Sequence, residues 1–197
     1  MIVRKKITLY FLFCLSMIFN GYSQRVLKDT SLIEWNSEKK ISWNNFLGEA
    51  NAESSFKAEC VTFFRRSFYT KNDSVFCRIQ TFFNQNESWK KNFFLDDGYD
   101  LNHEQIHFNI TEFFARKLRQ IISLNDLNEE TIQKKYDEIA KDCDDFQKKY
   151  DEQTNHSINI LKQNEWTKKL TDLLSSLSLF TEQSIYIKHP ICRICWE

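Results

Sequence analysis

Between Asp100 and Ser123 the apolar residues Ile106, Ile110, Phe113, Phe114, Leu118, Ile121 and Ile122 recur every three or four positions, the spacing of one helix face. That spacing predicts a helix over about 100–123, preceded by a chain break at Asp96-Asp97-Gly98. Upstream the period shortens to two. Lys57–Thr70 and Ser74–Asn84 are rich in Phe, Val, Thr and Tyr, with Lys71-Asn72-Asp73 between them, which predicts a β-hairpin. Val75, Cys77, Ile79, Thr81 and Phe83 alternate onto one face of its second strand, the expected buried side. Ile33-Glu34-Trp35 and Ile41-Ser42-Trp43 read as a strand and a lead into the fold, anchored by their indoles.

A second helical tract follows Asn125-Asp126-Leu127-Asn128, which offers a turn and N-cap candidates. Ile132, Tyr136, Ile139, Cys143, Phe146 and Tyr150 form a seam able to pack along another helix. From Asp151 to Leu177 the pattern stays helical, without Pro or Gly. The seam fades near Thr154 and resumes at Trp166, Leu170, Leu173 and Leu177. Where it fades, Glu152, His156, Asn159 and Gln163 share helical spacing and are expected to make a polar stripe on one face. The expected class is α+β: an N-terminal hairpin or small antiparallel sheet, then long helices.

Three Gly and one Pro in 197 residues exclude a turn-rich sandwich. Arg4-Lys5-Lys6, the apolar run Ile7–Phe19 and Gly21-Tyr22-Ser23 read as a secretory signal cleaved before Gln24, too short to span a bilayer. The expected organisation is a signal peptide at 1–23, one domain at 24–178 and a C-terminal tail at 179–197. The expected location is secreted or periplasmic. Cleavage leaves 24 basic against 27 acidic residues, a net charge of −3. With no basic block, nucleic acid and anionic membrane are poor partners. Five cysteines then remain. Cys60 and Cys77 lie far apart along the predicted hairpin and are not expected to pair. Cys192-Arg193-Ile194-Cys195 lacks both the second pair of a zinc ribbon and a βαβ context.

Chemistry enters at His103-Glu104-Gln105-Ile106-His107, an HExxH motif inside the predicted helix. Residues four apart lie on consecutive turns of one helix face, so His103 and His107 can meet one zinc ion, with Glu104 beside them as general base for a zinc-activated water. Both histidines continue the line of Ile110 and Phe114 and therefore face inward. A third ligand is required. His156, where the seam fades, is the leading candidate; Glu152 or Asp151 is an alternative, and Glu129 a further one. Tyr150 is a minor candidate for hydrogen bonding an oxyanion. Ile110 and Phe113 stand where a metzincin needs Gly and His, which excludes that subclass.

Leu101-Asn102-His103-Glu104-Gln105-Ile106-His107-Phe108 running into Phe113-Phe114-Ala115-Arg116-Lys117-Leu118, and Tyr150-Asp151-Glu152-Gln153-Thr154-Asn155-His156 followed by Asn159, Gln163 and Trp166, resemble an uncharacterised family of secreted bacterial HExxH proteins. Ile41-Ser42-Trp43-Asn44-Asn45-Phe46 and Ser88-Trp89 match its N-terminal landmarks. The resemblance covers roughly residues 33–178, with Asn109 where an Asp is common and Ser157 where a Gly is common. That family is regarded as zinc-dependent peptidases, so the resemblance implies a zincin-like fold, zinc as cofactor and a peptide or protein substrate. The expected function is a secreted zinc metallopeptidase; the alternative is an inactive zincin-like binding or inhibitory module.

Overall fold

The computed structural model describes residues 29–91 and 98–188; the expected signal peptide and the CxxC pair lie outside the described residues. In chain order the elements are β1 (Leu32–Glu34), a 3₁₀ turn (Trp43–Asn45), β2 (Ala58–Lys71), β3 (Ser74–Lys90), α1 (Asp100–Leu124), α2 (Glu129–Thr154), α3 (Ile160–Ser176), a second 3₁₀ turn (Ser178–Phe180) and β4 (Ser184–Ile187). The structure is α+β, with a small antiparallel sheet and three helices. Among the described residues no helix is long and apolar enough to cross a membrane.

The long hairpin forms where the alternation places it. Asn72 and Asp73 both take positive φ, 48° and 57°, the type I′ turn whose twist suits a two-residue hairpin loop. Phe68 lies opposite Cys77, and Cys77, Ile79, Thr81 and Phe83 are buried on the predicted face. The pairing is interrupted at Cys60: Glu59 faces Trp89 but Val61 faces Asn84. Ser88 repairs that gap, its hydroxyl accepting from Val61 N at 2.9 Å and donating to Asn84 O at 2.6 Å. Such irregularities turn a strand and re-aim its side chains. Cys60, Cys77 and Cys143 are all free thiols.

α1 is the axis of the molecule. One face packs with the sheet, α2 and α3 around Ile106, Ile110, Phe114, Leu118 and Ile122; Phe108 packs with Phe83, Phe46 and Ile41 on the other side. The seam of α2 is buried at Ile132, Ile139, Cys143 and Tyr150. Asn128 caps α2 by accepting from Thr131 N at 2.9 Å.

Two features depart from the sequence expectation. The tract 151–177 is not one helix: α2 ends at Thr154, and Asn155, His156 and Ser157 take positive φ in succession, 47°, 48° and 70°. Asn159 then caps α3 by accepting from Lys162 N. The polar stripe through Glu152, His156, Asn159 and Gln163 is therefore divided among a helix end, a link, a cap and a new helix. Second, Ser184–Ile187 is a strand antiparallel to β3, and Ile185 and Ile187 are buried in the main core. Part of the expected tail thus completes the domain.

Candidate metal centre

The first two turns of α1 carry the motif. His103 and Glu104 are buried and His107 is half-buried. The His103 and His107 rings approach edge to face with centroids 4.8 Å apart, and their Nε2 atoms lie 3.2 Å from each other. The third member comes from the last turn of α2: Asp151 Oδ1 is 2.9 Å from His107 Nε2 and 3.2 Å from His103 Nε2. Ligand atoms of His103, His107 and Asp151 all lie within 4.8 Å of one another, a convergence one ion can satisfy.

The other candidates fall elsewhere. His156 stands at the rim, its Nδ1 3.7 Å from Asp151 Oδ1 and its ring tilted against Phe56 at 4.1 Å between centroids. It lines the same cavity but is not one of the three convergent groups. Glu152 is exposed. Glu129 opens α2, about 33 Å along the helix from Asp151 at 1.5 Å per residue. Tyr150 is fully buried; its hydroxyl points to His103 O at 3.5 Å and its ring stacks on His103 at 4.7 Å. It supports a histidine rather than facing a substrate, because the seam turns it into the core.

The protonation balance follows from this geometry. Burial pushes the Asp151 carboxyl up, but hydrogen bonds from His103 and His107 outweigh it and hold Asp151 well below the ordinary carboxylate range. Burial pushes His107 down, and the hydrogen bond and charge of Asp151, followed by the charge of Glu104, raise it above its ordinary value. A carboxylate between two imidazoles attracts positive charge to the point where the three donors meet.

A cavity of about 370 Å³ opens over this point. Its floor includes His103, Glu104, His107 and Asp151, and its wall includes Glu59, Cys60 and Thr62 of β2. The strand irregularity brings Cys60 against α1, its thiol 3.5 Å from Glu104 O. Burial, then the charge of Glu104, pushes that thiol well above its ordinary pKa, so without a metal Cys60 is a neutral neighbour, and it is not one of the three convergent groups.

The left-handed link shapes the rim. Ser157 donates to Asp100 Oδ1 at 2.9 Å, and Lys57 Nζ reaches both Asp100 oxygens at 3.0 and 3.1 Å. Three successive non-glycine residues at positive φ cost about 1–2 kcal/mol each, so local contacts must hold them. The positive φ also explains why glycine suits position 157. Asn109 accepts from Trp35 Nε1 at 2.9 Å and from Gln105 Nε2 at 3.0 Å, a role an aspartate would equally fill. The sequence put Gln163 in the polar stripe and among the residues of the resemblance and gave Gln147 no role; both hydrogen-bond to motif histidines. Their signal is spacing: Gln147 precedes Asp151 by one helical turn.

No family model, curated protein or solved structure matches this chain.

Proposed function

We propose that this protein is a zinc-dependent peptidase of zincin-like design, with His103, His107 and Asp151 holding the ion and Glu104 as general base. The observation that carries the reading is the convergence of three donor groups in a cavity whose floor also includes Glu104. Two imidazoles and one carboxylate suit zinc, and three protein ligands leave a position open for chemistry. Zinc bound there supplies a Lewis acid that makes a water more acidic and polarises a carbonyl. Glu104 accepts the proton of the attacking water and returns it to the nitrogen of the departing amine. Asp151 supplies the negative charge that binds the ion, and the buried Tyr150 ring keeps His103 in place.

An amide substrate is favoured by the cavity wall. β2 has β3 on one side, and among the described residues no strand pairs with its other edge. Residues of β2 line the cavity, so an extended peptide can lie along that edge beside Glu104, the backbone giving affinity and side-chain pockets selectivity. Export is supported by the charged and apolar N-terminal run.

The deciding experiment pairs metal analysis with hydrolysis. Wild type is expected to take up one zinc per chain and cleave a mixed peptide pool. Glu104→Gln is expected to keep the zinc and lose about 10²–10⁴-fold in rate; undiminished hydrolysis would remove Glu104 from the role of base. Asp151→Ala should lose zinc and His156→Ala should retain it. The reverse pattern would return the third ligand to His156.

A further inference from the structure

Each imidazole of the motif has its outer nitrogen against a glutamine, and the two glutamines come from different helices. His107 Nδ1 is 2.5 Å from Gln147 Oε1 on α2; His103 Nδ1 is 3.3 Å from Gln163 Oε1 on α3. A carboxamide has an accepting oxygen end and a donating nitrogen end, and which end faces the ring depends on what the other end meets. Here the nitrogen ends are committed. Gln147 Nε2 donates to His107 O at 3.0 Å and to Thr111 Oγ1 at 3.1 Å. Gln163 Nε2 donates to Tyr99 O at 2.8 Å. Backbone carbonyl oxygens only accept, so neither carboxamide can be turned around without leaving two oxygens face to face.

With both oxygen ends against the rings, each Nδ1 must carry a hydrogen to make its bond. A neutral imidazole has one N–H and one lone pair. That leaves Nε2 as the nitrogen a cation can reach: it can bond Asp151 only as N–H, and a cation that takes the place of that proton meets a lone pair from each ring where the two Nε2 atoms and Asp151 converge. We propose that Gln147 and Gln163 are positioning residues that hold His107 and His103 as Nδ1–H tautomers and so present both Nε2 lone pairs to one divalent cation. The presentation to a cation rests on the metal reading above; the Nδ1 hydrogen rests on the two glutamine contacts.

The choice of carboxamide has a chemical consequence. A carboxylate behind a metal-bound histidine orients the ring and makes it a more basic donor. A carboxamide orients the ring without adding charge. Asp151 is then the one anion among the three convergent donors and their two glutamine supports, and a bound cation keeps more of its acidity. The arrangement also ties three helices together. Gln147 and Asp151 reach the centre from consecutive turns of α2, and Gln163, fully buried, cross-links the start of α3 to the first turn of α1.

The test reads the rings directly. In zinc-loaded wild type with ¹⁵N-labelled histidine, two-bond proton–nitrogen correlation is expected to show both rings protonated at Nδ1 and metal-bound at Nε2. Gln147→Leu and Gln163→Leu should each weaken zinc binding about 10–100-fold. Gln147→Glu should keep the Nδ1–H tautomer and bind zinc at least as tightly as wild type. Wild-type rings bound to zinc through Nδ1 would overturn the proposal, as would leucine variants with wild-type zinc affinity. Gln163 is deeply buried, so if its leucine variant fails to fold, the wild-type measurement decides without it. A wild type that takes up no zinc would sink the metal reading alone, and the glutamine contacts are then read in the metal-free protein as a slowly exchanging Nδ1 proton on each ring that its leucine variant loses.

Discussion

Helix α1 buries two polar clusters within five turns, and they are built on opposite principles. In the second, Glu112 is closed on every side: Arg116 Nε and Arg119 Nη1 each donate to Oε1 at 2.9 Å, and Thr81 donates to Oε2 at 2.8 Å. The arginines use their remaining donors on backbone, Arg119 on Ile79 O and Phe180 O and Arg116 on Leu174 O. That cluster welds the sheet to the C-terminal turns. In the first, His103 and His107 each give one nitrogen to a glutamine and turn the other toward Asp151 beneath an open cavity. The second network closes on itself, whereas the ligand atoms of the first converge under a cavity, where they could hold an ion.

That contrast breaks most visibly at Glu112. Glu112→Ala leaves two arginines buried without their shared anion, and a loss of about 3–5 kcal/mol is expected in urea unfolding. A loss below about 1 kcal/mol would mean that water repairs the network. The same measurement on metal-free Asp151→Asn should show a smaller loss, about 1.5–3 kcal/mol for hydrogen bonds to a charged group, together with loss of zinc uptake. Equal losses at the two sites would erase the distinction drawn here.

pH sharpens the comparison further. His107 is raised in the folded state, so its stabilising contribution is complete below its unfolded value near 6.5 and fades as pH climbs through the folded one. Asp151 is depressed, so its contribution is present above about 3.8 and is lost as pH falls through its folded value. Metal-free stability should therefore be greatest between about pH 4 and 6.5 and decline on either side. If the metal reading holds, added zinc is expected to reverse the alkaline limb, because a cation competes with the His107 proton and binds better as pH rises. A metal-free profile that is flat from neutral to mildly alkaline pH would uncouple His107 from Asp151.

The smallest effect is expected at the link. Ser157→Gly relieves a positive φ but gives up the hydrogen bond to Asp100, so stability should move by less than about 1 kcal/mol in either direction. A loss above about 2 kcal/mol would make the Asp100 contact the dominant restraint.

The α1 stripe and the hairpin could be read from the chain because their periods, 3.6 and 2, are long and uninterrupted there. The α2–α3 break could not. Asn155, His156 and Ser157 reverse the backbone without Gly or Pro, and the helical spacing of Glu152, His156, Asn159 and Gln163 imitates a continuous face. That imitation is also why His156 looked better placed than Asp151. Counting along one helix puts His156 beside the seam, whereas the left-handed link turns it to the rim against Phe56. β4 escaped notice for another reason: four residues have too little pattern of their own, and Ser184–Ile187 is a strand because β3 offers it an edge.

The way β3 shares that edge governs how the chain comes together. Glu34 at the close of β1 and Gln183 just ahead of β4 are hydrogen-bonded side chain to side chain across 149 positions, and each short strand zips onto a different stretch of β3. Neither has enough partners to persist by itself, and closing so long a loop costs entropy before any contact repays it. Each flanking strand therefore needs the hairpin in place before it can pair, and the Glu34–Gln183 bond can form only once both are docked on β3.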